Sequence, residues 1–447
     1  MKENVDDDLE YHLEDPGENP LPTQKCSTKT KVLFTILIIL FILLTGATAY
    51  FAYKYLDSRK SKKSDKENSN KEKIIPPDSE TDDSKIIEVD SSDGFLYWET
   101  YGTKISNLSY VKENGIIHNS FKERGENYNS EIGNINYGED YIKSERNIYD
   151  LYIPYTATQR KEKNNKVILF IHGGGWMEGQ KEYMDVLCKS YAKYGIITAS
   201  IGYTLIKINN TQTNMYRILD EITAAINSTG EYLSKEGFDT NKLEFAIGGH
   251  SAGGHLSLLY AYSINNIPYP IKFVVDLLGP VSIEPECFIQ LKDNNEPLQN
   301  IEQKDIDEAI KSNKTKNKNE PVDIKSLRMI NTFIGNQYNE DELNEILTNN
   351  ESLLYKQFMN KIQYAFPTIY VNKKTLPTIC LYSGKDEVIG IGHYAFIKKK
   401  FEENNNNNIS LIYSKYTGHN DYAKIKTING LKAMNKLNSE ILNLFKK

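Results

Sequence analysis

The sequence predicts an α/β fold, with a mostly parallel central sheet covered by helices on both faces and preceded by one transmembrane helix. From about residue 130, short apolar runs alternate with longer amphipathic stretches, which is the pattern of repeated strand–helix–strand units. One long apolar segment without a charge lies near the N-terminus. Two glycine-rich motifs directly follow apolar runs, where the carboxyl ends of parallel strands hold functional sites.

The uncharged segment is residues 32–53, VLFTILIILFILLTGATAYFAY. Its 22 residues would span about 33 Å as a helix, enough to cross the hydrocarbon of a bilayer. A cleaved signal peptide and a buried core helix are the alternatives, but a signal sequence has a shorter apolar region nearer the start of the chain. We therefore expect a single-pass membrane protein with the lipid bilayer as a partner of this segment.

The charges on the two sides of this segment differ in sign. Residues 1–31 form an acidic tail with four lysines and eight acids, whereas residues 54–73 carry eight basic and four acidic side chains. The positive-inside rule weakly favours a cytoplasmic location for the C-terminal part, and leaves the side of the membrane open. Residues 54–93 are polar and charged, so we expect a disordered linker, with a lipid-binding basic patch as the alternative.

The remaining residues, 94–447, are expected to form the catalytic domain. With 39% hydrophobic residues, the chain has enough apolar surface to pack a core, which excludes disorder throughout. Its four cysteines lie far apart, which argues against a disulfide scaffold or a zinc ribbon. A net charge of −6 gives no general basic surface for nucleic acid, so no nucleic-acid partner is expected.

Seven apolar runs predict strands, and four amphipathic stretches predict helices between or after them. The predicted strands are residues 147–153, 167–172, 196–201, 243–248, 273–278, 378–382 and 409–413. The predicted helices are residues 182–194, 215–235, 255–263 and 427–445. This alternation predicts a mostly parallel sheet, because parallel neighbours need a crossover connection.

The strand at 243–248 runs into Gly249-His250-Ser251-Ala252-Gly253, a G-x-S-x-G sequence between a strand and a helix. In a nucleophile elbow, the turn holds a serine in a strained conformation, and small flanking residues allow close approach of the backbone. Ser251 is therefore a candidate nucleophile. A glycine-rich helix start with a capping serine is the structural alternative.

A second glycine-rich sequence follows the strand at 167–172, where His172 is followed by three glycines and Trp176. Consecutive glycines leave backbone N–H groups free to point at one oxygen atom, as in an oxyanion hole. A phosphate-binding loop is the alternative, but no Gly-Lys-Ser or Gly-Lys-Thr follows.

A serine nucleophile needs a base that is oriented by an acid, and in hydrolases with this elbow the chain order is serine, acid, histidine. Asp386 follows the strand at 378–382, and His419 follows the strand at 409–413. A turn residue is the alternative for Asp386, with Glu387 and Asp421 as substitute acids. Both candidates lie where the order requires them.

Together, HGGGW, GHSAGG, GKDEV and TGHND, with NIYDLYIP and SIGYTL, resemble the α/β-hydrolase superfamily. The greatest similarity is to its carboxylesterase branch, which includes hormone-sensitive-lipase-like and feruloyl-esterase-like proteins and kynurenine formamidases. The resemblance covers about residues 130–447. It implies that Ser251 is the nucleophile, Asp386 the triad acid and His419 the base, with the N–H groups of Gly174, Gly175 and Ala252 as oxyanion donors. No cofactor and no metal ion are implied.

One long, charged insertion, about residues 281–367, lies where relatives in this superfamily place a variable cap. It contains predicted helices near residues 301–310 and 341–347. A lid over the substrate pocket and a loose surface insertion are both compatible with its sequence.

We therefore predict a membrane-anchored serine hydrolase that cleaves small-molecule carboxylic esters through an acyl-enzyme. An amidase, arylformamidase or peptidase of the same fold is the first alternative, because it differs only in the leaving group. A non-catalytic binding module is the second. The sequence predicts no oligomeric state.

Overall fold

The computed structural model describes residues 102–111, residues 144–289 apart from 209 and 211, two short stretches at 292–293 and 296–297, and residues 324–446 apart from 337 and 423–426. Within them, ten strands and nine α-helices follow one another along the chain. In chain order these are β1 (Gly102–Ser109), β2 (Ile148–Pro154), α1 (Tyr155–Thr158), β3 (Asn165–Ile171), α2 (Asp185–Ala192), β4 (Ile197–Ile201), α3 (Met215–Lys235), β5 (Leu243–His250), α4 (Ala252–Ser263), β6 (Ile271–Leu277), β7 (Lys292–Asp293), β8 (Glu296–Pro297), α5 (Ile324–Phe333), α6 (Glu340–Thr348), α7 (Leu353–Gln363), β9 (Thr378–Ser383), α8 (Gly392–Glu403), β10 (Ile409–Ser414) and α9 (Ile428–Leu444).

Eight of these strands form one sheet in the order β1-β2-β4-β3-β5-β6-β9-β10. The first two pairs in that order are antiparallel, and the other five are parallel. Both faces of the central strands are buried, which explains why β3 and β5 are apolar at nearly every position instead of alternating. The predicted mostly parallel sheet is confirmed, and the carboxyl ends of its parallel strands meet at one edge.

Helix α4 lies at the centre of the fold, packed against β5 and β6. All twelve of its residues are buried, which explains its apolar composition on every side. Because α4 begins directly after Ser251, the rigid core fixes the position of that residue. The longer α3 packs against α4 and is capped at its start by Asn214, whose side chain accepts a hydrogen bond from the Arg217 backbone N–H.

Several boundaries differ from those expected from the sequence. The predicted helix at 182–194 is a 3₁₀ turn, Lys181–Met184, followed by α2, and the predicted helix at 255–263 starts three residues earlier. Strand β1 pairs with β2 and joins the main sheet, so the sheet begins before residue 130. The predicted helix at 301–310 lies outside the described residues.

The predicted fold class needs one correction, which concerns its transmembrane helix. Among the residues that the structure describes, no helix is both long and apolar enough to cross a membrane. The architecture of the described residues is the α/β sheet with its helices, and none of those helices could span a membrane. The acidic tail, the apolar segment 32–53 and the linker 54–93 all lie outside the described residues, and the localisation inferred from them stays a prediction.

Candidate active site

Ser251 occupies the sharp turn between β5 and α4. Its backbone has φ 55° and ψ −123°, an unfavourable conformation for a residue with a side chain, and its amide donates to the Leu277 carbonyl at 2.8 Å. The turn has no room for larger neighbours, because a Cβ on Gly249 would lie 2.3 Å from the backbone of Gly253. A Cβ on Gly253 would lie 2.0 Å from the Ile171 carbonyl oxygen. The structure therefore has the strained, tightly packed turn that the motif predicts.

The glycine loop after β3 lies directly against this turn. A Cβ added to Gly173 would be 3.0 Å from Cβ of Ser251 and 2.8 Å from the His250 carbonyl oxygen. Gly174 and Gly175 have φ values of 117° and 57°, in the region that favours glycine. Ala252, the first residue of α4, has an N–H group without an acceptor in its own helix. The three predicted oxyanion donors thus lie on two backbone segments beside Ser251.

Asp386 and His419 form a hydrogen-bonded pair at the same edge of the sheet. The distance between Nδ1 of His419 and Oδ2 of Asp386 is 2.7 Å. The other oxygen of Asp386 accepts hydrogen bonds from the backbone N–H groups of Val388 and Ile389, both at 2.8 Å. Asp386 is only 1% exposed, so these bonds hold the carboxylate in one orientation.

The pair forms because β9 and β10 are parallel and in register. Ser383 is opposite Ser414 at their carboxyl ends, so the loops that carry Asp386 and His419 leave the sheet side by side. Neither substitute acid takes this place. Glu387 is exposed, and Asp421 accepts a hydrogen bond from the Gly418 N–H within its own loop.

His250 connects the His419 loop to the serine turn. The distance between Nε2 of His250 and the carbonyl oxygen of His419 is 2.7 Å, and the centroids of the two rings are 4.7 Å apart. A carbonyl oxygen can only accept, so Nε2 of His250 carries the proton. Because His250 directly precedes Ser251, this bond brings the base loop to the nucleophile turn. The G-x-S-x-G motif places His250 beside Ser251 but does not predict this contact.

Comparison with protein families agrees with this geometry. The BD-FAE family model matches residues 149–401, more than half of the chain. The chain belongs to the BD-FAE family. Since BD-FAE is an esterase family with the α/β-hydrolase fold, the resemblance inferred from the motifs is confirmed, and the predicted enzyme class, a hydrolase acting on ester bonds, agrees with the family.

Two curated proteins are similar to part of this BD-FAE chain. A probable isoprenylcysteine alpha-carbonyl methylesterase of Oryza sativa subsp. japonica is 31% identical over 117 residues, which is 26% of each chain. A protein with the same description from Arabidopsis thaliana is 31% identical over 112 residues, or 25% of this chain and 24% of that protein. The chain thus spans about a quarter of the length of the curated relatives it matches.

Among solved structures, a truncated carbohydrate esterase from gut microbiota aligns with 14% identity and a TM-score of 0.48, covering 78% of this chain and 98% of that one. Esterase B from Lactobacillus rhamnosis (HN001) aligns with 13% identity and a TM-score of 0.46, covering 80% and 89%.

The described part of the predicted insertion packs against the glycine loop of this BD-FAE protein. The Phe333 ring at the end of α5 lies 4.8 Å from the Trp176 ring and 5.9 Å from the His255 ring. Phe366, after α7, lies 5.3 Å from His255. These contacts favour a lid over a loose surface insertion, because a loose segment would not bury aromatic rings at the site.

His255, on α4, makes two contacts that the motifs do not predict. Its Nδ1 accepts a hydrogen bond from the Trp176 indole N–H at 3.2 Å, and its Nε2 lies 2.7 Å from the carbonyl oxygen of Ala365. The signal in the sequence is its position one helical turn after Ser251, on the helix that the glycine loop packs against.

Four buried histidines are held in the neutral form, because burial disfavours their charged state. Burial lowers the pKa of His172 and of His393 to about 3 and that of His255 to about 4, and it lowers the pKa of His250 well below the usual range. Asp276, also buried, has its pKa raised to about 7. Because the pKa of each of these histidines is lower in the folded than in the unfolded state, the neutral histidines favour folding fully at pH values above the unfolded-state pKa near 6.5. That stabilisation is lost as pH falls towards the folded-state pKa values. Asp276 has the opposite pH dependence, because its pKa is higher in the folded state. Its protonated form favours folding at low pH, and this stabilisation is lost as pH rises through about 7.

We expect His393→Asn to make the folded protein less sensitive to acid. The Asn side chain can still accept the Val281 N–H bond that His393 Nδ1 accepts, but it takes up no proton on unfolding. Between pH 6 and 4.5, the free energy of unfolding should fall less steeply than in the wild type by roughly 1.4 kcal/mol per pH unit. Urea unfolding at a series of pH values measures both slopes. Equal slopes would contradict a neutral, buried His393.

Proposed function

We propose that this protein hydrolyses carboxylic esters of small molecules by acyl transfer through Ser251. The observation that carries the proposal is the junction of three loops at one edge of the sheet. There the His419–Asp386 pair is joined through His250 to the turn that holds Ser251. A nucleophile, an acid and a base, in this chain order, are the parts that acyl transfer requires.

In the first half of the reaction, His419 Nε2 takes the proton from Oγ of Ser251 while Oγ attacks the ester carbonyl carbon. The carbonyl oxygen becomes an oxyanion, which the N–H groups of Gly174, Gly175 and Ala252 stabilise. The tetrahedral intermediate then collapses. The bond from carbon to the alcohol oxygen breaks, His419 returns its proton to the leaving alcohol, and the acyl group stays on Ser251.

In the second half, a water molecule replaces the alcohol. His419 takes a proton from the water, whose oxygen attacks the acyl carbon, and the same N–H groups stabilise the second oxyanion. Collapse of this intermediate breaks the bond to Ser251 Oγ, which regains its proton from His419. The products are a carboxylic acid and an alcohol, and the enzyme needs no further reactant.

The Asp386 carboxylate has two effects in this scheme. Its hydrogen bond with Nδ1 keeps the proton on that nitrogen, so that Nε2 is free to act as the base. Its negative charge also stabilises the imidazolium that forms during each proton transfer. The bonds from the Val388 and Ile389 N–H groups hold the carboxylate in place.

An ester substrate is favoured over an amide by the similar curated proteins, which are described as probable methylesterases. We infer that the substrate is a carboxylic ester small enough to enter beneath the aromatic side chains of the cap. Parallel assays with p-nitrophenyl esters and an arylformamide would distinguish this proposal from an amidase.

The decisive test is covalent labelling with a fluorophosphonate, which reacts with an activated serine. We expect the wild type to be labelled at Ser251 and to hydrolyse p-nitrophenyl acetate, and Ser251→Ala to do neither. Ser257→Ala is a suitable control, because this buried serine lies on the same helix but donates its hydroxyl to the Gly253 carbonyl. Unlabelled wild type, or equal labelling of Ser251→Ala, would overturn the proposal.

A further inference from the structure

The glycine loop is connected to the cap through one histidine. The Trp176 indole N–H donates to Nδ1 of His255, and Nε2 of His255 lies within hydrogen-bond distance of the Ala365 carbonyl oxygen. Trp176 is 4% exposed and His255 is fully buried, so water does not compete for either bond. Ala365 follows α7, whereas His255 lies on α4 and Trp176 ends the glycine loop.

The two bonds require one tautomer of His255. A carbonyl oxygen accepts only, so Nε2 must carry the proton that it donates to Ala365. Nδ1 then has a lone pair, which is what the indole N–H of Trp176 needs. The cap carbonyl therefore selects the form of His255 that can hold Trp176.

Trp176 lies directly beside the backbone that carries two of the predicted oxyanion donors. It directly follows Gly175, and its φ of 62° lies in the left-handed region, where a side chain is unfavourable by on the order of 1 kcal/mol. Such a conformation persists only when surrounding contacts fix it. Those contacts are the bond to His255, the packing against the Phe333 ring, and a 2.9 Å bond from the Ile206 N–H to the Trp176 carbonyl.

We propose that His255 is a positioning residue for the oxyanion hole: it holds the Trp176 indole, and through it the N–H groups of Gly174 and Gly175, in the geometry that stabilises the transition state. The inference rests on the proposed function. It assigns the described part of the cap a second effect besides covering the site, since the Ala365 carbonyl fixes the His255 tautomer.

Three variants separate the two hydrogen bonds. Trp176→Phe keeps one aromatic ring but removes the indole donor together with part of the ring system. His255→Gln places an amide N–H near the position of Nε2, towards Ala365, and loses the acceptor for Trp176. His255→Asn places an amide oxygen near the position of Nδ1, towards Trp176, and loses the bond to Ala365.

We expect Trp176→Phe and His255→Gln each to lower kcat about 10-fold with KM within about twofold of wild type. A misaligned donor should cost less than the 10²- to 10³-fold of a missing one. Their double variant should lose no more than either alone, because both remove the same interaction. His255→Asn should stay within about threefold of wild type, since it keeps the acceptor for the indole.

The rates are normalised to the fraction of molecules that a fluorophosphonate labels, so that misfolded protein does not count. Tyr262→Phe is the matched control, because it removes a buried bond to Thr378 at the opposite end of the sheet and should lower stability but not kcat.

Three results would overturn the inference while wild type is labelled normally, and the first two are an unchanged kcat in Trp176→Phe and equal losses in His255→Asn and His255→Gln. A tenfold loss in each single variant that multiplies to about 100-fold in the double variant would also contradict it. If wild type itself is not labelled at Ser251, the proposed function fails and the inference with it.

Discussion

Replacing His419 with glutamine is expected to lower kcat for ester hydrolysis on the order of 10⁶-fold, the loss typical when the base of a serine hydrolase is removed. The glutamine side chain has no basic nitrogen to take the proton from Ser251, and a neutral hydroxyl is a poor nucleophile. Steady-state hydrolysis of p-nitrophenyl acetate, corrected for the rate of the Ser251→Ala protein, measures the loss.

The geometry around His419 makes this substitution a clean test. Asp386 holds the His419 ring from one side, and the His419 carbonyl accepts the bond from His250, which the backbone of the His419→Gln protein retains. The loop should therefore stay in place while the chemistry is lost. KM should change little, because the side chain contributes to the transition state more than to substrate binding.

His393→Asn is the matched control, since it also removes a buried histidine but lies on α8, which is neither the His419 loop nor the serine turn. We expect its kcat to remain within about threefold of wild type. A His419→Gln protein that kept more than about one-hundredth of the wild-type kcat would show that another group acts as the base.

The parts of the site that could be predicted from the sequence are those encoded by local motifs at strand ends. Ser251, Asp386 and His419 each follow an apolar run, and the chain order of the three residues limits the possible roles. Because β9 and β10 are parallel and in register, the loops that follow them leave the sheet side by side, and residues far apart in the chain meet there. That is why a pairing between residues 33 positions apart could be anticipated.

The contacts that were missed have no local pattern. His250 binds a carbonyl 169 residues away, and His255 binds one 110 residues away, in the cap. Such bonds depend on how a variable insertion folds onto the core, and the amphipathic pattern of its helices α5 and α7 indicates a buried face but not which core residues that face contacts. Strand β1 was missed for a related reason: its alternation is weak, because half of its residues are exposed at the edge of the sheet.

Replacing Asp386 with asparagine is expected to lower kcat about 10⁴-fold, although the two side chains have nearly the same shape. The Oδ1 position accepts two backbone N–H groups, from Val388 and Ile389. An amide NH₂ cannot face two donors, so the oxygen of the introduced asparagine must occupy that position. The NH₂ group is then left facing Nδ1 of His419.

That orientation reverses the tautomer of the base. Nδ1 of His419 must accept from the amide, so Nε2 carries the proton and cannot take one from Ser251. The pair would keep its hydrogen bond and its spacing, and the unfolding transition should shift little, while catalysis is lost. Steady-state kcat and a thermal unfolding curve, measured on the same preparation of Asp386→Asn, check both expectations.

Glu387→Gln provides the comparison, because this neighbouring acid is exposed and the structure pairs His419 with Asp386 instead. Its kcat should stay within about twofold of wild type. If Glu387→Gln lost the activity and Asp386→Asn kept it, the acid would be misassigned. If both variants kept the activity, the active tautomer of His419 would not depend on a carboxylate. The asparagine introduced at position 386 could hold that tautomer only by turning its NH₂ group towards the two buried backbone N–H donors, which is unfavourable.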